Sequence, residues 1–205
     1  MVKVSKEKAA EHRAAIIAAA SRLFRERGFG GVGVAEITRA AGLTHGGFYG
    51  HFASKDALAV EAFDAAFARS VKRIAARAAP DGGGLPRYLD FYLSPAHRDA
   101  PQDGCPMAAV ATEVDHQDAT VQQGFASGIA AYIAAFESLL PEEAGGNAAR
   151  RRARAILMVS ALVGGMALAR AVARSDAALS QEILDDLHTQ LLALAELEPE
   201  SCARA

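Results

Sequence analysis

Apolar residues in this chain recur at every third or fourth position and almost nowhere at every second one. That spacing gathers them on one side of an α-helix and leaves nothing for the alternating face of a half-buried strand. Alanine dominates and β-branched runs are missing, so backbone propensity agrees with the pattern. The expectation is an all-α protein of about nine helices.

Punctuation residues place the helices. Ser5 can cap a first helix over 6–27, which Gly28 ends in a left-handed stop. Gly33 is the N-cap of a second helix carrying Val34, Ile37, Ala40 and Ala41, and Gly42 stops it. Thr44 caps a short third helix from His45 to about His51. Ser54 caps a long fourth one, through Leu58, Phe63, Phe67, Val71 and Ile74 to about Ala78. The run Pro80 to Pro86 reads as a loop beside a domain boundary, and further helices are expected at 87–93, 105–115, 117–139, 148–174 and 180–196.

Composition removes several classes. A chain of 205 residues, half apolar and 22% charged, can bury a core in one or two small domains. No run of about 20 uncharged apolar residues occurs, so no bilayer-spanning helix and no membrane partner are expected. Residues 1–11 mix Lys and Glu with few apolar residues, unlike a secretory signal, and a cytoplasmic location is expected. Cys105 and Cys202 are too few for a disulfide scaffold and are not spaced as zinc ligands. There is no nucleophile elbow and no phosphate-cradling Gly-x-x-x-x-Gly-Lys, so neither an enzyme nor a cofactor is expected. Glu113, Asp115, His116 and Asp118 read as a solvated helix end, and no metal is expected there.

The net charge of -2 hides an asymmetry. Up to Lys55 there are nine Lys and Arg against four Asp and Glu, so this segment nets about +5 and the remainder about -7. A basic head on an acidic body suits contact with a polyanion.

Within that head, the stretch from Val34 to Phe52 joins a short helix, a glycine turn and a second short helix, the sequence shape of a helix-turn-helix. Phe48 and Phe52, four apart, face inward toward Ile37, Ala41 and Leu43, while His45 and Tyr49 share another face. Gly46, Gly47 and Gly50 each cost a helix roughly 1 kcal/mol against alanine. Tertiary packing must therefore hold this segment, and close approach to a phosphate backbone would give the glycines a purpose. Lys55, at the start of the next helix, opposes the macrodipole unless a phosphate sits there too.

Taken together, the first helix ending at Gly28-Phe29, Ile37, Ala41-Gly42-Leu43-Thr44, Gly46, Phe48-Tyr49, His51-Phe52, Lys55 and Leu58 make residues 10–60 resemble the DNA-binding head of the TetR family of bacterial regulators. The resemblance implies a three-helix DNA-binding domain, 1–55, and a helical ligand-binding and dimerisation domain, 56–205. It implies a homodimer that holds a palindromic double-stranded DNA operator and is released by a small-molecule inducer. It places Thr44, Tyr49 and Lys55 on phosphates and His45 nearest base edges, with Arg39 as a second reader. Gly33, Gly46, Gly47 and His51 complete the expected contact surface, Gly33 standing where the family usually has Ser or Thr.

For the body, the resemblance turns two apolar rows into an expected dimer interface: Leu157, Ala161, Gly164, Leu168 and Val172 on one helix, and Ile183, Leu187, Leu191 and Leu194 on the next. It also makes a ligand pocket of the aromatic and sulfur-bearing residues Phe67, Tyr88, Phe91, Tyr92, Met107, Phe125, Tyr132, Met158 and Met166. Without it they read as core. Cys105 opens a helix, where the dipole favours thiolate, and is a candidate for sensing electrophiles or oxidants.

Overall fold

A computed structural model describes residues 6–142 and 147–196; Ser5 and Cys202 lie outside them. Among the described residues there are nine α-helices and no strand. They are α1 (Lys6–Arg27), α2 (Val34–Ala40), α3 (Lys55–Ala78), α4 (Gly84–Tyr92), α5 (Pro95–Asp99), α6 (Pro106–Val114), α7 (Ala119–Glu137), α8 (Ala148–Val172) and α9 (Ala177–Glu196). Two 3-10 turns, His45–Gly47 and Pro101–Asp103, complete the described elements.

The stops at Gly28 and Gly42 and the cap at Ser54 form as expected. Gly28 and Gly42 end α1 and α2 with φ of 77° and 72°. The Ala57 amide donates to Ser54 Oγ at 3.0 Å, capping α3.

Three elements depart from the sequence reading. The third helix contracts to the 3-10 turn His45–Gly47, followed by a turn in which the His51 amide donates to the Phe48 carbonyl oxygen at 2.8 Å. Three glycines in so short a segment remove the propensity that would extend it. Helix α4 begins at Gly84, inside the presumed breaker, because Pro86 falls in the first turn, where no amide has an intrahelical partner. The presumed loop 94–104 contains α5, started by Ser94, whose Oγ accepts from the His97 amide at 3.1 Å.

The chain condenses into two units. One runs to Arg69 and takes in Ala100–Ile129; the other is Ser70–Asp99 with the described residues from Ala130 onward. In the first, Ile16, Phe24, Ile37, Phe48, Leu58 and Phe63 are fully buried. Phe125 stacks edge-on against both Phe63 and Phe67. Arg25, only 3% exposed, donates from Nε to the Gln102 carbonyl oxygen at 2.9 Å and also from Nη2. Burial, with Arg69 adding to it, pulls that guanidinium down to about 10.

In the second unit α8 packs along α9, with Met158, Leu162, Met166 and Leu184 buried between them and their neighbours. Ser180 Oγ donates to the Ala169 carbonyl oxygen at 2.8 Å and accepts from Arg98 at 3.0 Å. Among the described residues α8 is the one helix long and apolar enough, by length and composition, to cross a membrane. Arg154 and Arg170 bound its uncharged stretch, which is shorter than the roughly 20 residues expected of a spanning helix. Its inner side is core here, and its other side leaves Leu157 and Leu168 exposed at 56% and 61%.

Candidate nucleic-acid interface

The helix-turn-helix is built on two phenylalanines. Phe48 and Phe52 are buried, their ring centres 5.6 Å apart, in a unit whose core includes the fully buried Ile37. The turn between α2 and the 3-10 segment is closed by the Leu43 amide donating to the Thr38 carbonyl oxygen at 2.8 Å. Thr38 itself is buried, its hydroxyl bonded back to the Val34 and Ala35 carbonyl oxygens. The inward set expected from the spacing is therefore the observed one, with Ala41 and Leu43 at its half-buried edge.

What remains outside is short in side chains. Tyr49 is 63% exposed, and Gly33, Arg39, Thr44, Gly46 and Gly50 are exposed, while Gly47 and His51 are half-buried. A methyl group added at Gly33 or Gly46 would meet nothing of the chain within 4 Å. No packing within the monomer therefore demands glycine at either position. Gly33 caps α2 through its backbone only, with no side-chain bond to the first amides. The side chain of His45 lies outside the described residues.

Lys55 is engaged within the chain. Its ammonium donates to the Phe29 carbonyl oxygen at 2.5 Å and sits 4.0 Å from the centre of the Phe29 ring. Burial pushes it below the usual lysine range, against the opposing pull of Asp56 and Glu113. The cation is turned toward the α1–α2 loop, not outward.

The nine presumed pocket residues are drawn from both units. Phe67, Met107 and Phe125 belong to the first unit; Tyr88, Phe91, Tyr92, Tyr132, Met158 and Met166 belong to the second. All are buried except Phe91, which is half-buried. Tyr88 and Tyr132 share a short buried hydroxyl–hydroxyl bond. Beside them the His97 imidazole is stacked on Phe91 and bonded through Nδ1 to the Tyr92 carbonyl oxygen at 2.7 Å.

The presumed dimer rows divide by exposure. Ala161, Gly164, Leu168, Ile183 and Leu187 line a groove of about 450 Å³ on the outer side of α8 and α9. Leu157 extends that surface, whereas Leu191 is buried and Val172 and Leu194 are half-buried.

Cys105 is the N-cap of α6, is 3% exposed, and acts electrostatically on the buried Arg25. Among the described residues no group of His, Cys, Asp and Glu is arranged to hold a metal. Asp118 instead accepts from the Thr120 amide at 2.7 Å at the start of α7. Glu113 reaches back to the Gly30 amide at 3.2 Å. Sequence reasoning missed Arg25 and His97 and read Glu113 only as part of a solvated helix end, because a polar residue that bonds a distant backbone group leaves no periodic signal. The one hint was an Arg on the apolar side of α1.

Two segments of the chain match known protein families. Residues 16–62 match the model of bacterial regulatory proteins of the tetR family, and residues 84–182 match the LmrA/YxaF-like transcriptional regulator C-terminal domain. The HTH-type transcriptional regulator TtgR of Pseudomonas putida is 47% identical over 55 residues, 27% of this chain and 26% of TtgR. That match spans about a quarter of the relative's length. A TetR transcriptional regulator from Chloroflexus aurantiacus superposes with a TM-score of 0.73 at 25% identity, over 94% of this chain and 98% of that one. Another, from Legionella pneumophila, gives 0.74 at 16% identity over 96% and 100%, a likeness of fold alone. The chain belongs to the TetR family of DNA-binding transcriptional regulators, a family of non-enzymatic proteins.

Proposed function

We propose that the chain acts in the cytoplasm as a homodimeric repressor, holding a palindromic operator until a small molecule releases it. The observation that carries the DNA contact is that Gly33 and Gly46 of the helix-turn-helix are exposed with open space at each, while Tyr49 also faces solvent. Glycine at 33 and 46 serves no packing need inside the chain, and a duplex backbone pressed against that surface is the partner that would need it. In this reading residues 1–55 bind DNA and 56–205 bind ligand and partner. Thr44 and Tyr49 hold phosphates, His45 and Arg39 reach base edges, and Gly33, Gly46, Gly47 and His51 line the approach. Lys55, with its ammonium on Phe29, supports the surface from beneath unless DNA draws it out.

The second copy would seat on the apolar groove of α8 and α9, bringing two heads to half-sites about one helical turn apart. The inducer would favour a body conformation in which the heads no longer match that spacing. Selection of duplexes from a random pool, followed by light scattering of the complex, tests this reading. A palindromic consensus bound by two chains supports it; absence of salt-sensitive DNA affinity overturns it.

A thiol-sensing variant of the same function rests on Cys105, the N-cap of α6, which interacts electrostatically with the Arg25 cation. Mass spectrometry after mild alkylation of the native protein tests it, and an unmodified Cys105 overturns it.

A further inference from the structure

The loop between α1 and α2 is held from two sides by charged side chains. Lys55 takes the carbonyl oxygen of Phe29, and Glu113 of α6 takes the amide of Gly30. The Glu113 carboxylate also fills the space a side chain at Gly28 would need: a Cβ there would stand 2.4 Å from Oε1 and 2.9 Å from Oε2. Gly28, at φ +77°, thus gives α1 its stop and Glu113 its seat.

Two more ties bind the same stretch of chain to α1, one turn apart. Arg22 pairs with Asp103 at 2.5 Å, and Arg25 donates to the Gln102 carbonyl oxygen. The run from Gln102 to Glu113 is therefore fastened along the end of α1 and onto the loop that follows it. Four residues after Gly30, α2 begins, and α2 contacts the 3-10 turn His45–Gly47 that precedes Tyr49.

Stabilisation alone does not account for Glu113, although its charge favours the Lys55 cation. Gly30 is exposed, so water would satisfy its amide if the carboxylate were absent, and the net gain of such a bond is small. What the carboxylate adds is a fixed position for a loop without side chains at 28, 30 and 31 to restrain it.

We propose that Glu113 is a positioning residue for DNA binding: reaching from α6 to the Gly28–Gly30 loop, it fixes the seat of α2, so that operator affinity follows the position in which α6 holds it. Contact between Glu113 and DNA is not required. A shift of α6 by a few ångströms would release the Gly30 amide and free α2 to move.

The full-length chain, its Glu113→Ala variant and its Glu113→Gln variant are compared by fluorescence anisotropy. The probes are the palindromic duplex that the unmodified chain selects from a random pool and a random-sequence duplex of equal length. Alanine is expected to weaken the selected duplex about tenfold and the random one less than about twofold, in the range usual for coupling energies. Glutamine keeps an acceptor for the Gly30 amide and is expected to stay within about threefold of the unmodified chain on both. Thermal unfolding of both variants is expected within about 2 °C of the parent. Retained affinity in the alanine variant overturns the proposal. So do equal losses on the two duplexes, a glutamine variant as weak as alanine, or a large fall in melting temperature, which would make Glu113 structural.

Discussion

The ammonium of Lys55 donates to the carbonyl oxygen of Phe29 at 2.5 Å and lies 4.0 Å from the centre of its ring. A cation at the first residue of α3 works against the helix dipole, and this arrangement offsets that cost with an acceptor, two aromatic faces and the neighbouring Asp56 and Glu113. Lys55→Met should lower unfolding stability by about 1.5 kcal/mol, the loss of one charged hydrogen bond. The plot of log affinity against log salt should keep its slope. A decrease of about 0.9 would show that the ammonium leaves Phe29 for a phosphate in the complex.

Tyr49 makes the opposite case. At 63% exposure it contributes little to the core, so Tyr49→Ala should leave thermal unfolding unchanged. Loss of a neutral phosphate hydrogen bond should weaken selected and random duplexes alike by about 1 kcal/mol, roughly fivefold. A loss confined to the selected sequence would make Tyr49 a base reader.

How far the sequence foretells a side chain's surroundings is a matter of reach. Phe48, Phe52 and Tyr49 obey the period of a helical segment, so their inward and outward directions follow from spacing alone. Lys55 has the right position in sequence for a phosphate contact, but its long side chain folds back across 26 residues to Phe29. The same limit hid Arg25 on Gln102 and Glu113 on Gly30, each closing over more than 75 residues. Nor does aromatic content say which of the two units a ring enters. Helix α4 was misjudged for a local reason: glycine and proline mark a helix start as readily as a break.

Two glycines of the body separate packing from propensity. A methyl at Gly164 meets nothing within 4 Å, whereas one at Gly128 would stand 2.1 Å from the buried Phe67 ring, which has no room to yield. Gly164→Ala should raise unfolding stability by up to about 1 kcal/mol through helix propensity. Gly128→Ala should lower it by roughly 1–3 kcal/mol through overpacking. Urea titration checks both; equal effects would mean that α7 and Phe67 are not in contact in solution.

The exposed row on α8 predicts the behaviour of the assembly. Leu168→Asp places a carboxylate on a side chain already 61% exposed, at the rim of the α8–α9 groove. In a monomer that substitution costs within about 0.5 kcal/mol. In a dimer seated on this groove it buries an unpaired charge, and the pair should dissociate at micromolar concentration. Light scattering of the variant would show one chain per particle, with loss of binding to a full palindrome. Persistence of the dimer would assign the interface to another face.

His97 sets the last expectation, a dependence of stability on pH. Its imidazole is 5% exposed, and because the Tyr92 carbonyl oxygen can only accept, Nδ1 carries the proton. Burial, with Arg170 and Arg73 adding to it and the Tyr92 bond opposing, pulls it from 6.5 to about 4. Between those values the unfolded chain binds a proton that the folded chain refuses, so stability falls as pH drops from 6.5 toward 4 and is fully present above 6.5. The cost approaches about 3 kcal/mol at the acid end. Carboxylates titrate in the lower part of the same window, so the variant His97→Asn, which keeps a donor for the Tyr92 carbonyl, supplies the reference. Between pH 7 and pH 5 urea unfolding should show the parent losing roughly 2 kcal/mol more than the variant, whereas parallel curves would place His97 in contact with water.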